Sequence, residues 1–299
     1  MNNNVHLPKI HFVLPGGGVR GAFQAGFLYR LFKNYSNKFE IAKVDGTSVG
    51  SMNGIAIASG NYEIIKDIWF SIKNINDLFD NWTDSSYLGL GQYVSYYYGF
   101  FNNGLFSNKK VNGLLKQNIG EIWKELPIDK KKKYSCAVVN IKTGCTEYID
   151  GDNPDLLDYI TASASPWIVS NPIKINDQEY TDGGLLETYP IKNINAVGAD
   201  MTLILGYDQE HFSFKPANNT NMLEYLANLI DIARFNSINT EIVKSFLKNK
   251  KEDLVCLPNP MKVSFVDFSK ETIEYGFTQG EEFAESFYKT YLENYKKVK

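Results

Sequence analysis

Histidine and cysteine are scarce in this chain of 299 residues, which contains three of each. The cysteines, Cys136, Cys145 and Cys256, are odd in number and form no CxxC pair. This pattern argues against a disulfide framework and against a zinc site, and it favours a reducing compartment. The acidic residues and histidines also lack the spacing of metal ligands, so we expect neither a metal nor another cofactor.

Long hydrophobic runs and an excess of one charge are missing as well. No apolar run approaches the ~20 residues of a membrane-spanning helix, and the first residues, MNNNVHLPK, lack the apolar core of a signal peptide. We therefore expect a cytoplasmic protein that contacts membranes only peripherally. The net charge is −3, and the basic run Lys130–Lys133 is interpreted as a solvated loop, so a nucleic-acid partner is not expected.

A pattern of strand, glycine turn and helix occurs twice near the N-terminus. The apolar residues Ile10–Leu14 predict a buried strand, which ends at a proline and three glycines before a helical pattern over Gly21–Lys33. A second strand at Ile41–Val44 is followed by another glycine turn and by a helix of small residues at Met52–Ser59. This alternation is typical of an α/β protein with a mostly parallel sheet and helices on its faces.

The rest of the chain is predicted to add elements to the same domain. We expect strands at Tyr134–Asn140, Thr146–Ile149, Met201–Gly206 and Val263–Phe268, and helices at Leu156–Ala162, Asn221–Leu247 and Glu281–Tyr295. Residues 62–118 are rich in aromatic side chains and are predicted to form a helical, irregular insertion over the sheet. Within them the stretch YVSYYYGFF, at 93–101, has two open interpretations: a lip that faces the membrane or an acyl chain, or core packing.

The motif GTSVG at residues 46–50 is the first candidate for chemistry. It is a GxSxG sequence between a predicted strand and a predicted helix, where a nucleophilic serine projects from a sharp, strained turn. Gly46 and Gly50 keep that turn free of side-chain clashes, and the N-terminus of the following helix helps to stabilise negative charge. The alternative is an ordinary glycine turn capped by Ser48, but the flanking strand and helix favour the nucleophile.

The loop GGGVRG at residues 16–21 is a candidate anion site. It presents consecutive backbone N–H groups without bulky side chains, which suits a phosphate or an oxyanion. The same loop matches the dinucleotide fingerprint GxGxxG, and Glu40 and Asp45 lie near the distance expected for a ribose-binding acid. Against this alternative, Asp45 directly precedes GTSVG, and a dinucleotide site would leave the serine motif without an explanation.

A third glycine turn carries an acid, at Asp182, Gly183 and Gly184. On its own this sequence would indicate an ordinary Asp-Gly hairpin turn. His211 is the one histidine placed to complete a triad, in the Ser–Asp–His order that α/β-hydrolases use. His11 lies in the first predicted strand and is interpreted as a core or edge residue.

Four segments, ordered along the chain, resemble the patatin-like phospholipases. They are GGGVRGAFQAGFL from Gly16, GTSVGSMNGIAIASG from Gly46, TASASPW from Thr161 and YTDGGLLETYPI from Tyr180. The resemblance continues through NAVGAD, from Asn195, and so covers about residues 9–206. Pro15 departs from the family, which commonly has a serine or an aspartate before the glycines. The chain after about residue 209 matches no part of the pattern.

The resemblance implies a three-layer α/β/α fold and a lipid acyl hydrolase of the phospholipase A or lysophospholipase type, which cleaves acyl esters of membrane lipids. It implies that Ser48 is the nucleophile and that Asp182, and not a histidine, is the base. It further implies that the oxyanion and phosphate side of the site is lined by Gly16, Gly17, Gly18 and Arg20. Because arginine pairs bidentately with phosphate, Arg20 is expected to matter more for phospholipids than for neutral esters.

The resemblance also divides the chain into a catalytic domain at residues 9–206 and a C-terminal extension at 207–299 packed on the same domain. A lipid substrate and a peripheral membrane surface are the expected partners, and the sequence does not specify whether a protein activator exists. Two alternatives stay open. One is a triad esterase or acyltransferase that uses His211, and the other is a non-catalytic protein that binds phosphate or a dinucleotide at GGGVRG.

Overall fold

An eight-stranded sheet runs through the part of the chain that the computed structural model describes, which comprises residues 7–78, 107–166, 170–194, 197–207 and 253–295. The strands are β1 (Lys9–Leu14), β2 (Glu40–Thr47), β3 (Tyr134–Asn140), β4 (Cys145–Asp150), β5 (Ile173–Ile175), β6 (Gln178–Asp182), β7 (Met201–Tyr207) and β8 (Asp253–Pro258). The helices are α1 (Gly21–Tyr35), α2 (Val49–Ala58), α3 (Glu63–Ser71), α4 (Lys109–Glu125), α5 (Ile128–Lys131), α6 (Leu156–Ser163) and α7 (Lys270–Phe287), which continues into a π-helical turn at Tyr288–Leu292.

The centre of the sheet is parallel. In the order β8, β7, β1, β2, β3, each strand pairs in parallel with the next. Strands β4 and β6 run antiparallel to β3, and β5 is antiparallel to β6. The predicted α/β class, with a mostly parallel central sheet flanked by helices, is therefore confirmed.

The two faces of the sheet carry apolar clusters of different size. Along β1 successive side chains point to opposite faces, so Ile10, Phe12 and Leu14 belong to the large core that also includes residues of α1, α2 and α7. Val13 points the other way and joins a small cluster that includes Tyr189. In the described residues the main core therefore includes this face of β1 and these three helices, and α3, α4 and α6 also contribute to it.

Helices α1 and α7 cross in direct backbone contact. A Cβ atom at Gly26 would lie 1.9 Å from the carbonyl oxygen of Phe277, and a Cβ atom at Gly280 would lie 2.1 Å from the carbonyl oxygen of Phe23. No side chain fits at either crossing position, so both helices carry glycine there. This close approach draws the C-terminal helix into the main core.

The C-terminal region differs from the sequence prediction in the position of one strand. The strand predicted at Val263–Phe268 is wrong: this segment is irregular, and the carbonyl groups of Val263 and Phe265 accept hydrogen bonds from the glycine loop. The strand lies earlier in the chain, at Asp253–Pro258, where it pairs with β7 and forms one edge of the sheet. Both segments are short and apolar, so their sequences alone do not indicate which of them joins the sheet.

Two helices begin earlier than their patterns predict. Helix α7 starts at Lys270 and not at Glu281, because the side chain of Ser269 caps its first turn. Helix α2 starts at Val49, before the predicted Met52. The residues before the two predicted starts include glycines, Gly50 in α2 and Gly276 and Gly280 in α7, which lower helix propensity, so the sequence pattern alone places both starts too late.

Several other predictions concern single segments. The basic run Lys130–Lys133 begins inside the short helix α5 and not in a loop, although its side chains are largely exposed. None of the helices in the described ranges is long and apolar enough to span a bilayer. The aromatic stretch at 93–101, the helix predicted at Asn221–Leu247 and His211 lie outside the described residues.

Candidate active site

The turn between β2 and α2 holds Ser48 in a strained conformation. Ser48 has φ 55° and ψ −127°, with a positive φ that residues other than glycine rarely adopt. Helix α2 begins at the next residue, Val49, so the chain passes from strand to helix across a single residue. This geometry lets the serine side chain project from the turn, as a nucleophile requires.

The glycines beside Ser48 occupy positions where a side chain has no room. A Cβ atom at Gly46 would lie 2.5 Å from the Cα atom of Ser51, and a Cβ atom at Gly50 would lie 2.1 Å from the carbonyl oxygen of Leu14. Gly50 thus lets the first turn of α2 rest on the end of β1. The close packing of backbone around the turn explains both glycines of the sequence motif.

Strand pairing brings Ser48 and Asp182 together. Strand β2 runs parallel to β3 as far as the pair Thr47–Ala137, and β6 runs antiparallel to β3 up to the pair Asp182–Val138. Because β4 occupies the other edge of β3, β2 and β6 share one edge and meet end to end. Ser48 follows Thr47 directly, so the serine and the carboxylate lie at the junction of two strands that point at each other.

Two serines of the TASASPW segment hold both candidates in place. The Ser163 hydroxyl accepts the N–H of Ser48 at 2.8 Å and donates to the carbonyl oxygen of Ala137 at 2.7 Å. Two residues later, the carbonyl oxygen of Ser165 accepts the N–H of Asp182 at 3.0 Å. Sequence reasoning assigned these serines no role, and the one signal that could have found them was their place in a segment of the family resemblance.

The carboxylate of Asp182 is buried and is oriented by its own turn. Its Oδ1 accepts the N–H of Gly184 at 2.7 Å. A Cβ atom at Gly183 would lie 2.4 Å from the carbonyl oxygen of Ala137, so this glycine lets the turn press against β3. The hydrogen bond from the Gly184 N–H and the close packing of Gly183 together fix the orientation of the carboxylate.

The loop GGGVRG follows β1 and lies against Ser48. A Cβ atom at Gly16 would lie 2.9 Å from the Cβ atom of Ser48, and the Gly16 N–H donates to the carbonyl oxygen of Thr188 at 3.2 Å. Within the described ranges, the N–H groups of Gly17 and Gly18 have no hydrogen-bond acceptor. Two backbone donors beside a serine hydroxyl can act as an oxyanion hole.

An apolar cavity opens beside Ser48 and Gly18. About 850 Å³ of space in and around it is free of protein atoms, and part of that space is open to solvent. Its walls come from α2, α3, α4 and the segment before α7, and they include Met52, Ala56, Ile65, Trp69, Leu115 and Phe268. A wall with so few polar groups suits a hydrocarbon chain.

Comparison with known proteins identifies the family. The sequence pattern of the family described as patatin-like phospholipase matches residues 12–194, which is more than half of the chain. The chain belongs to the patatin-like phospholipase family. Among solved structures, VipD from Legionella pneumophila is similar, with 14% sequence identity over 94% of this chain and 67% of that chain and a TM-score of 0.48. A comparison with curated proteins found no match.

The patatin-like match ends at residue 194, whereas the structure continues the same sheet and core beyond it. Strands β7 and β8 extend the sheet from β1, and α7 packs into the main core. Phe265 and Phe268, from the segment before α7, line the cavity beside Ser48. The candidate site therefore includes residues that the family pattern does not cover.

Arg20, in the patatin-like loop, lies against this C-terminal segment. Its guanidinium donates through Nε and Nη2 to the carbonyl oxygen of Val263, at 3.1 and 2.9 Å. The backbone carbonyl of Arg20 accepts the side-chain amide of Asn259 at 3.3 Å. Arg20 is 5% exposed and connects the glycine loop to a residue 243 positions later in the chain.

Asp45, the acid that a dinucleotide site would need, is buried on the face of the sheet opposite the main core. Asp45 Oδ2 lies 2.8 Å from His11 Nε2, Asn193 donates to both carboxylate oxygens at 3.1 Å, and the Ser135 hydroxyl donates to Oδ1. Asp45 and His11 are fully buried, so His11 is a core residue, as predicted, and Asp45 has no route to a ribose. Glu40 begins β2, at the end of the sheet away from the glycine loop.

In the described ranges, no three His, Cys, Asp or Glu side chains are placed to hold a metal ion.

Proposed function

We propose that this chain is a lipid acyl hydrolase of the phospholipase A or lysophospholipase type, with Ser48 as nucleophile and Asp182 as base. The observation that carries the proposal is the end-to-end meeting of β2 and β6 on one edge of β3, with a strained serine at one end and a buried carboxylate at the other. Membership of the patatin-like family and the apolar cavity support an ester with a hydrocarbon chain as the substrate.

In the proposed reaction the Ser48 hydroxyl oxygen attacks the acyl carbonyl carbon and transfers its proton to the carboxylate of Asp182. The carbonyl oxygen becomes an oxyanion that accepts the N–H groups of Gly17 and Gly18, while Gly16 keeps the loop against the serine. Collapse of this intermediate breaks the ester bond, and the leaving alcohol takes the proton from Asp182. Water then attacks the acyl-enzyme with help from the same groups and releases the fatty acid.

An aspartate is an intrinsically weak base for a serine hydroxyl. It becomes competent in a dry site, because direct contact avoids reorganisation of solvent and because preorganised donors stabilise the oxyanion. The burial of Asp182 and its hydrogen bond from Gly184 support such a site, since the carboxylate is already oriented before charge develops. The mechanism uses protein groups alone and needs no cofactor.

The proposed substrate is presented by a membrane, so we propose that the protein binds membrane surfaces peripherally. The acyl chain enters the apolar cavity beside Ser48, while the head group stays at its mouth. We assign the chemistry to a catalytic domain at residues 9–206, on which the extension at 207–299 packs. The packing of α7 against α1 supports that arrangement.

Product analysis on mixed lipid vesicles tests the proposed function. Wild-type protein and Ser48→Ala are incubated with vesicles of phosphatidylcholine, phosphatidylglycerol and diacylglycerol, and the released products are identified by mass spectrometry. We expect fatty acid, together with the matching lysolipid or monoacylglycerol, from the wild type alone. Folded wild-type protein that releases no fatty acid from these lipids or from lysolipids would contradict the proposal.

One face of α2 suggests how the cavity selects acyl chains by length. Val49, Met52, Asn53 and Ala56 line the cavity, at the i, i+3, i+4, i+7 spacing of a single helical face. Ala56 has the smallest side chain of the four and lies about two turns after Ser48, ~12 Å along the helix axis. A large side chain at position 56 would therefore shorten the cavity at the end far from the nucleophile.

We expect Ala56→Phe to hydrolyse p-nitrophenyl butyrate like the wild type but to lose activity towards p-nitrophenyl palmitate. If three methylenes lose their burial at ~0.8 kcal/mol each, kcat/KM for the palmitate falls roughly 50-fold relative to the butyrate. The matched control is Ala58→Phe, because Ala58 lies on the same helix but outside the cavity wall. An unchanged ratio of the two rates in folded Ala56→Phe would show that this residue does not limit chain length.

A further inference from the structure

An irregular C-terminal segment touches the glycine loop through its backbone. This docking segment, Asn259–Phe268, follows β8 and precedes α7. The carbonyl oxygen of Phe265 accepts the N–H of Val19 at 2.9 Å. The same carbonyl oxygen approaches Gly18, which has φ +57°, so closely that a Cβ atom there would lie 2.2 Å from it. The docking segment thus rests directly on one of the two candidate oxyanion donors.

Arg20 adds a second connection between the loop and the docking segment. Both Nε and Nη2 donate to one acceptor, the carbonyl oxygen of Val263, so the guanidinium is held at two points. In the other direction, the side chain of Asn259 donates to the Arg20 carbonyl and accepts the N–H of Met261 at 3.0 Å. Side chains of both the glycine loop and the docking segment therefore fix the position of the loop relative to the segment.

The docking segment also builds part of the cavity wall. Phe265 and Phe268 are buried and line the cavity. The ring of Phe268 stacks on that of Trp69 with 6.4 Å between centroids, and Trp69 Nε1 donates to Asn53 Oδ1 at 2.9 Å. One stretch of chain therefore contacts both the oxyanion side and the acyl side of the candidate site.

We propose that the docking segment is a component of the catalytic site and that Arg20 is the positioning residue through which it acts. In this arrangement Arg20 anchors the glycine loop to the segment, and the anchored loop directs the N–H groups of Gly17 and Gly18 at the oxyanion. The inference rests on the proposed function, and it concerns residues beyond 194, where the family match ends.

The physical reason is the backbone freedom of three consecutive glycines. Glycine loses more conformational freedom on ordering than any other residue, so an unanchored GGG loop would hold its donors poorly. Oxyanion donors act by being in position before charge develops, and the loss of one costs ~10²–10³ in kcat. A guanidinium that acts through the loop affects every ester alike, whereas one that binds the phosphate of a substrate affects phospholipids selectively.

Kinetics of Arg20→Ala on a neutral ester and on a phospholipid test the inference. The sequence alone predicted a larger effect on phospholipids, but the bond from the guanidinium to Val263 changes that expectation. We now expect kcat to fall about 100-fold for both p-nitrophenyl butyrate and phosphatidylcholine, with little change in KM. Added guanidinium is expected to restore part of kcat by occupying the space beside Val263. Arg20→Lys keeps the charge and one donor but not the two-point bond, so we expect an intermediate kcat.

Two further variants test whether the loss of kcat in Arg20→Ala reflects the position of the loop or only a general structural effect. Arg30→Ala removes an arginine of α1, the helix that follows the loop; its guanidinium bonds to Glu281 and not to the loop, so this variant is expected to keep the wild-type kcat. Asn259→Ala removes the contact from the side of the docking segment. Of the two hydrogen bonds that this variant deletes, one reaches the glycine loop; at ~1 kcal/mol for that bond, we expect a loss of about fivefold in kcat on both substrates.

Wild type and Ser48→Ala, measured in parallel, separate this inference from the proposed function. A wild type without Ser48-dependent turnover refutes the proposed function, and the inference falls with it. If the wild type is active and folded Arg20→Ala and Asn259→Ala both keep its kcat, the positioning role alone is refuted. A loss confined to phosphatidylcholine also overturns the inference, because it would mean that the guanidinium binds the phosphate of the substrate.

Discussion

Ser48→Ala is expected to abolish hydrolysis of p-nitrophenyl butyrate, with a loss in kcat on the order of 10⁶-fold, as for other serine nucleophiles whose proton acceptor is retained. In the proposed mechanism the hydroxyl oxygen forms the acyl-enzyme, and no other atom at this position can replace it. The backbone at Ser48 should keep its turn, because the N–H that donates to Ser163 is unaffected. Turnover is measured together with circular dichroism to verify that the fold is intact.

The control for this variant is Ser71→Ala. Ser71 is an exposed serine at the end of α3 whose hydroxyl donates to the carbonyl oxygen of Ile68 at 2.7 Å, so its loss should leave turnover unchanged. Near wild-type activity in folded Ser48→Ala would mean that another residue is the nucleophile.

Ser48→Gly separates the chemical role of the residue from the strain of its backbone. Glycine adopts φ 55° without a steric penalty, so this variant should be as inactive as Ser48→Ala but more stable, by roughly 1 kcal/mol. For a domain of this size that difference raises the melting temperature by about 2 °C. Equal melting temperatures for the two variants would show that the turn stores little strain.

Asp182→Asn is expected to lower kcat on the order of 10⁴-fold. Asparagine has the same shape, and its side-chain oxygen can still accept the N–H of Gly184 that Asp182 Oδ1 accepts at 2.7 Å. The turn should therefore survive, while the amide cannot take the proton of Ser48. Steady-state kinetics on p-nitrophenyl butyrate give the size of the loss.

The matched control is Asp177→Asn. Asp177 lies in the turn between β5 and β6 with φ 60°, which asparagine tolerates, and its side chain is 91% exposed. This variant should keep full activity, so that a loss in Asp182→Asn reflects the position and not the chemical change alone.

His211→Ala decides between a dyad and a triad. With Asp182 as the base, removal of this histidine should leave turnover nearly unchanged. In a triad the histidine carries the proton, so its removal would cost at least as much as the loss of the carboxylate. Collapse of activity in folded His211→Ala would refute Asp182 as the direct base and assign the protein to the triad hydrolases.

Three glycine turns could be recognised from the order of residues alone, because the glycines themselves mark the turns. The backbone that excludes a side chain there can be distant in the chain, as Leu14 is from Gly50 and Ala137 is from Gly183. The apolar run of β1 and the helical spacing of α1 are likewise visible in short stretches of sequence. The α/β class followed from these local patterns, and so did the choice of Ser48 as a candidate.

The proposed pairing of Ser48 with Asp182 is different, because it depends on strand register. On its own the sequence around Asp182 fits an ordinary hairpin turn. Its significance arises when β6 pairs antiparallel with the same edge of β3 that β2 occupies, so that Asp182 opposes Val138 next to the pair Thr47–Ala137. No local pattern specifies which edge a strand joins, since that depends on packing between distant segments.

The C-terminal region shows the same division between local pattern and tertiary packing. Val263–Phe268 has the apolar residues of a strand, yet β7 pairs with Asp253–Pro258 and leaves the later segment free to dock on the glycine loop. The bond from Arg20 to Val263 joins residues 243 positions apart, through a backbone carbonyl that has no signature in the sequence. Turns, strands and helices leave a pattern of residue types in the sequence. Contacts made by backbone groups of distant segments leave no such pattern, because they form only when the chain has folded.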